Sequence, residues 1–382
     1  MASSDIFFPN ATFNDLVTPE RRSTKNAKYA EILWNYGGLF PAGSTLGNRL
    51  ATAARAYSVP IYDMAEADTQ IRVFQLAAYQ SLYTISNTGV KTGQSIPFNL
   101  KWKAGTGNDR LMIIINYQTG EVYEIGGITF DQPYNVFDSP WGWLGDWAKG
   151  PNGKAGYEWG NPRHAGVYGI NRYTNLWTGS DRSATNKLIV GRGCGLPKAA
   201  LVVRAERVKA TLDAGLPDIG HALNMSVSIT MHDTDATGPG FFLPPATRLE
   251  WGKGTKWQTR CSTVPTNDKC IPQGMLIALE PDWDVQKWLD RRGLKGAKRR
   301  TAEIFANTAK RRGIVVGSET GCGASATIEL DGLINPKSAA IWNTLGVVDT
   351  GGDYPSGDLV QDMLERDPVT GKLNFYVVDP VK

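Results

Sequence analysis

His221 is one of only three histidines in the chain and lies in Asp213-Ala-Gly-Leu-Pro-Asp-Ile-Gly-His-Ala-Leu-Asn-Met225, just ahead of an alternating strand pattern. An imidazole there can act as general base, general acid or hydrogen-bond anchor, because its ordinary pKa lies close to neutrality. If the chain is an enzyme, the natural partners are carboxylates, foremost Asp109 and Glu250, with Arg110, Glu121 and Glu124 also in reach of the argument. Cleaving a glycosidic bond takes two carboxyls about 5 to 9.5 Å apart. A structural histidine bonded to a nearby carbonyl is the competing reading of the same residue.

A second group of residues can bind sugar rather than react with it. Between residues 131 and 187, Trp141, Trp143, Trp147, Tyr157, Trp159, Tyr168, Tyr173 and Trp177 are scattered among Gly, Asn and Pro. An indole covers the apolar C–H face of a pyranose while nearby polar groups bond its hydroxyls. Trp141, Trp143, Trp147, Trp159, Tyr173 and Trp177, with Arg110, are the candidate ligand-binding residues. The alternative is a cluster that buries its own rings, since twelve tryptophans cannot all face water.

Other chemistries find little footing. No Gly-x-Ser-x-Gly elbow, phosphate-cradling loop or dinucleotide fingerprint occurs, and no cofactor is implied. Cys194, Cys261, Cys270 and Cys322 lack zinc spacing. Cys261 and Cys270 bracket a turn-rich loop and form a disulfide candidate, worth about 2.7 kcal/mol in the loop-entropy picture; four buried thiols are the alternative. His232, Asp233 and Asp235 offer a divalent-ion shell or simply a polar turn. A formal net charge of +4 is too mild to argue for nucleic acid. No apolar run approaches the roughly 18 residues of a membrane span.

These residues need a scaffold. Alternation in Ile71–Leu76, Ser95–Trp102 and Ser226–Met231 predicts strands with one buried face, and Leu111–Ile115, almost continuously apolar, predicts a central strand turning at Gln118-Thr-Gly120. The expected fold is mainly β, an antiparallel β-sandwich of jelly-roll type with a few short helices and a helical segment near 283–312. That segment is strongly basic and reads as a polyanion-binding stripe or a solvated helix face. Residues 1–57 read as an N-terminal arm holding a short amphipathic helix over 26–36, residues 58–334 as the sandwich with its aromatic insertion at 131–187, and residues 335–382 as a C-terminal extension. Within the extension a helix is predicted at Asp358–Glu365 and a strand at Phe375–Val378.

The His221 run, Phe241-Phe-Leu-Pro-Pro-Ala-Thr-Arg-Leu-Glu-Trp251, Ile271-Pro-Gln-Gly-Met275, Gly195-Leu-Pro197, Asn108-Asp-Arg-Leu-Met-Ile-Ile114 and Gly120-Glu-Val-Tyr-Glu-Ile125 together resemble a group of secreted and phage-encoded β-rich proteins of actinobacteria. The likeness spans about residues 58 to 330. Where that group carries Asp-Arg-His, this chain has Leu111 in place of the histidine. The amino terminus shows no signal-peptide pattern, which suits delivery by a phage particle. The resemblance implies a minor tail protein of the virion acting at the host surface, a homotrimer attached to other phage tail proteins and binding host cell-wall polysaccharide, with no nucleic acid and no membrane insertion. A polysaccharide-cleaving tail enzyme, glycosidase or lyase, and a purely structural tail component are the alternatives.

Overall fold

The computed structural model describes residues 5–39, 50–75, 90–91, 93–107, 109–128, 163–167, 169–173, 176–178, 193–235, 238–250, 266–321, 324–351 and 359–380. Its centre is a six-stranded sheet built from β1 (Ala51–Ala53), β9 (Leu223–Val227), β12 (Leu276–Leu279), β13 (Ile314–Glu319), β14 (Thr327–Glu329) and β15 (Phe375–Val378), in the order β1-β14-β9-β13-β12-β15. A four-stranded sheet holds β2 (Ile61–Asp63), β5 (Met112–Asn116), β6 (Glu121–Gly126) and β8 (Gly169–Tyr173). A three-stranded sheet has β4 (Gln94–Phe98), β3 (Thr69–Gln75) and β7 (His164–Val167), and β10 (Thr234–Asp235) pairs with β11 (Gly238–Pro239).

The antiparallel jelly-roll expected from the sequence is not what forms. β1 runs parallel to β14, β9 to β13, β2 to β5 and β3 to β7, so all three larger sheets are mixed. The reason is that an alternating or continuous apolar run reports burial of a strand's faces and carries no information on the direction of its neighbours. Helices then cover one side of the central sheet: α3 (Ala205–Asp213), α4 (Val285–Arg291), α5 (Gly296–Arg311) and α6 (Pro336–Thr344), with α1 (Lys28–Tyr36) against the same core.

Side-chain alternation sorts the layers. In β13, Ile314 and Val316 face the helix-side core with Trp288, Phe305 and Trp342, whereas Val315 faces a second core shared with Ile113, Ile115 and Val122 of the four-stranded sheet. Met112 and Ile114 point the other way, into a third core with Val73, Ile96 and Phe98 of the three-stranded sheet. The apolar run at 111–115 is continuous because β5 is buried on both faces, and each such side chain contributes about 1.5–3 kcal/mol. The result is a stack of helices, six-stranded, four-stranded and three-stranded layers.

Segments from both ends of the chain join this stack. Phe7, Phe8 and Phe13 lie in the second core, and β1 and β15 are the two edges of the central sheet. Over 359–365 the predicted helix does not form: these residues make turns in which Asp362 takes φ +57°, a left-handed conformation that ends any α-helix, while Leu359, Val360, Met363 and Leu364 are buried. The basic stretch forms α4 and α5, with Gly293 at φ +63° between them. Several of its cations are paired: Arg291 with Glu365, Arg292 with Asp362 and Arg299 with Asp290. No helix among the described residues is long and apolar enough to cross a membrane.

Asp331 ties the helices to the sheet. Its buried carboxylate accepts from Trp342 Nε1 (2.6 Å), Ser338 Oγ (2.9 Å) and the Ala205 backbone N–H (3.3 Å), joining α6 and the first turn of α3 to the end of β14. Asp331→Asn turns one acceptor into a donor facing those donors, so urea unfolding should show a loss of about 1–3 kcal/mol; an unchanged midpoint would mean that the node carries no stability.

Candidate functional site

Four carboxyls from the six-stranded layer, the four-stranded layer and a loop act on one another through charge: Glu319 and Asp109 on Glu250, and Glu329 on Asp109. Asp109 lies in the turn before β5, between Gly107 at φ +93° and Arg110 at φ +38°, and its carbonyl accepts from the Gly127 N–H at 2.7 Å. Glu319 ends β13 just after a register slip between Val316 and Ser318; such irregularities re-aim a strand's side chains. Its Oε2 accepts from the Thr230 N–H (2.9 Å) and Oγ1 (3.2 Å). Glu329 is buried on β14 and accepts from Ser226 Oγ at 3.3 Å.

Glu250 is held at both its backbone and its carboxyl. The fully buried Gln273 accepts from the Glu250 N–H (2.7 Å) and donates from Nε2 to Glu250 Oε2 (2.8 Å), so one amide fixes both ends of the residue. The segment leading to it is anchored by Leu243 N–H to the Gln273 carbonyl (2.8 Å) and crosses Gly274, where φ is +79° and a Cβ would strike the Leu243 oxygen. Gly193 clears the other side, because a Cβ there would collide with Glu250 Cγ and Cδ.

Electrostatics separate these carboxyls from ordinary surface acids. Burial first, then Glu319, pushes Glu250 up to about 8, with Asp109 adding to the rise while Lys198 and the Gln273 hydrogen bond oppose it. Asp109 is also raised, chiefly because protein surrounds it and further by Glu329, with Lys198 acting against the rise. Asp109 is exposed and Glu250 half-buried, so both residues border water. With its value pushed up to about 8, Glu250 favours its protonated form at neutral pH. Among the described residues no three His, Cys, Asp or Glu side chains are grouped to hold a metal ion.

Of the sequence-predicted catalytic residues, Asp109 and Glu250 meet in this site and His221 does not. His221 is 1% exposed and uses Nδ1 to donate to the Ala222 carbonyl at 2.8 Å, which leaves Nε2 as the unprotonated nitrogen. Burial, with Arg204, Arg207 and Arg312, lowers it to about 3, so it is neutral and structural. Arg110 neighbours Asp109. Tyr173 is buried, its ring edge-on to Phe8 at 5.7 Å and its hydroxyl donating to Glu124 Oε2 at 3.2 Å. Trp177 packs edge-on to Phe7 at 5.4 Å. Trp141, Trp143, Trp147, Trp159 and Cys261 lie outside the described residues; the Cys270 thiol donates to the Thr266 carbonyl at 3.3 Å.

No family model, curated protein or solved structure matches the chain. The site therefore has to be interpreted from its own residues. Sequence inspection passed over Glu319, Glu329, Gln273 and Lys198, although one signal was present. Carboxylates at the ends of the apolar runs Ile314–Glu319 and Thr327–Glu329 occupy strands buried on both faces, where a charge needs a partner or a task.

His221 also gives a pH test. Its folded-state pKa lies below its ordinary 6.5, so the unfolded chain binds a proton that the native state refuses, and stability is lost as pH falls from about 6.5 towards about 3. Urea titrations at pH 7, 6, 5 and 4 should show a slope shallower in His221→Gln by up to about 1.4 kcal/mol per pH unit; identical slopes would mean that the imidazole titrates normally.

Proposed function

We propose that the protein cleaves glycosidic bonds of a cell-envelope polysaccharide, with Glu250 as proton donor to the leaving oxygen and Asp109 as the carboxylate facing the sugar carbon as it becomes cationic. The observation that carries this reading is Glu250 itself, a carboxyl fixed at both ends by Gln273, cleared on one side by Gly193, and kept protonated at neutral pH beside a second carboxyl that reaches water. A carboxyl that favours its protonated form near neutrality, with a second carboxyl acting on it, is what acid-assisted cleavage of an acetal calls for. The surface of a host cell, reached by a phage tail, is the setting in which such an activity would act. Adhesion without cleavage rests on the tryptophans at 141–159, because Tyr173 and Trp177 commit their rings to Phe8 and Phe7.

Purified protein incubated with isolated actinobacterial wall polysaccharides should release reducing ends, and Glu250→Gln should lower the rate by about 10²–10⁴-fold with its melting temperature retained. Because Glu250 works in its protonated form, the wild-type rate should fall as pH rises through about 8. Retention of the glycan with no new ends would overturn the reading in favour of adhesion, and unsaturated ends would replace hydrolysis by elimination.

A further inference from the structure

Tyr57 holds a backbone conformation that an aromatic residue rarely takes. Among the described residues four that are not glycine lie in the left-handed region: Phe8 (φ +49°), Tyr57 (+58°), Arg110 (+38°) and Asp362 (+57°). A bulky side chain there is strained and persists only where its surroundings enforce it. For Phe8 the strain is offset by complete burial in the second core. Asp362 is a residue type that tolerates the region, and it pairs with Arg292. Neither reason serves Tyr57, which is 38% exposed.

Its neighbours fix it against one turn. The Tyr57 N–H donates to the Thr106 carbonyl at 2.8 Å. The next residue, Ser58, is wholly buried, donates from Oγ to the Arg55 carbonyl at 2.8 Å, and is pressed by Gly105 and Gly332, where a Cβ would strike it. The hydroxyl end of the Tyr57 ring lies on Gly107, at φ +93°, where a Cβ would come within 3.1 Å of Cε1 and Cζ. Gly107 and Asp109 share an exposed turn, closed by the Gly105 N–H on the Leu111 carbonyl (2.8 Å) and the Gly127 N–H on the Asp109 carbonyl (2.7 Å). Arg110, the other left-handed residue of this region, follows Asp109 directly. Two of the four outliers therefore belong to one feature, a phenol ring laid on the turn that carries Asp109.

We propose that Tyr57 is a sugar-binding residue, the ring on which one pyranose of the envelope glycan lies beside Asp109, a role that rests on the reading of Asp109 as the carboxylate facing the sugar carbon. An aromatic ring covers the apolar C–H face of a pyranose, while the phenol oxygen, the Asp109 carboxyl and the Arg110 guanidinium offer acceptors and donors for its hydroxyls. A ring already fixed by its backbone loses little freedom when the sugar arrives, so the strain held in the free protein serves binding. One exposed ring among polar neighbours is too small an apolar surface for a protein partner.

Glycine suits φ +58°, so Tyr57→Gly removes the ring and leaves the backbone where it is. Wild type, Tyr57→Gly and Tyr57→Phe are compared on isolated actinobacterial wall polysaccharide in two ways: the concentration dependence of reducing-end release, and retardation in native gels cast with the polysaccharide. Tyr57→Gly should raise KM about tenfold or more with kcat nearly unchanged and should lose its retardation, whereas Tyr57→Phe keeps both close to wild type. If Tyr57→Gly does not fold, Tyr57→Asn, which also tolerates the region, serves in its place. An unchanged KM in the folded variant, with wild type cleaving, overturns the role of Tyr57 and leaves the acid reading of Glu250 standing; a Tyr57→Phe as impaired as Tyr57→Gly also overturns stacking. Retardation that depends on Tyr57 without any cleavage overturns the acid reading and keeps the ring as a glycan contact. Wild type that cleaves nothing, with retardation absent or indifferent to Tyr57, overturns both.

Discussion

Burial of the central sheet on both of its faces is the constraint on which the rest of this structure depends. Helices cover one face and a second sheet the other, so a polar side chain on β9, β13 or β14 has no water to turn to. Such side chains are satisfied inside the stack or held at its edge, with Asn224 on β9, wholly buried and with neither amide atom bonded, an exception. Asp331 is the first kind, with donors from α3 and α6 converging on it. Glu319 and Glu329 are the second kind, at the strand ends where the layers part and Asp109 and Glu250 come in from loops.

The same constraint explains why so much of the positioning is done by backbone. Gly193, Gly195 and Gly274 stand where two chain segments pass too closely for a Cβ, and each close pass involves the segment 243–250. A loop pressed against its neighbours in this way loses the freedom that loops ordinarily have. Glu250 can then be held to the tolerance that proton transfer demands, although it belongs to no helix or strand.

Some strand positions were legible in the sequence and strand partners were not; the strand expected over Ser226–Met231 lies earlier, at Leu223–Val227. The run 111–115 announced a central strand, and β5 is one. Nothing in that run says that β2 lies parallel to it, since β2 is some fifty residues away and pairing direction leaves no mark on one strand's alternation. Asp362 shows the converse limit: the apolar spacing of 358–365 suits a helix, yet tertiary burial of Leu359, Val360, Met363 and Leu364 is achieved with turns. At the site, Asp109 and Glu250 could be named as carboxyls of a possible pair, whereas Lys198 sits in an unremarkable Gly-Leu-Pro-Lys-Ala-Ala stretch and becomes distinctive only once its burial is known.

Holding Glu250 protonated at neutral pH costs the folded protein stability. A carboxyl raised by burial keeps in the native state a proton that the unfolded chain has already released, so stability falls as pH rises from about 4.5 towards about 8. Glu124 shows how such a site is kept in register from the other layer: one carboxylate oxygen accepts from the Ala199 N–H and the other from the Tyr173 hydroxyl, which ties the short helix α2 (Lys198–Leu201) to the four-stranded sheet.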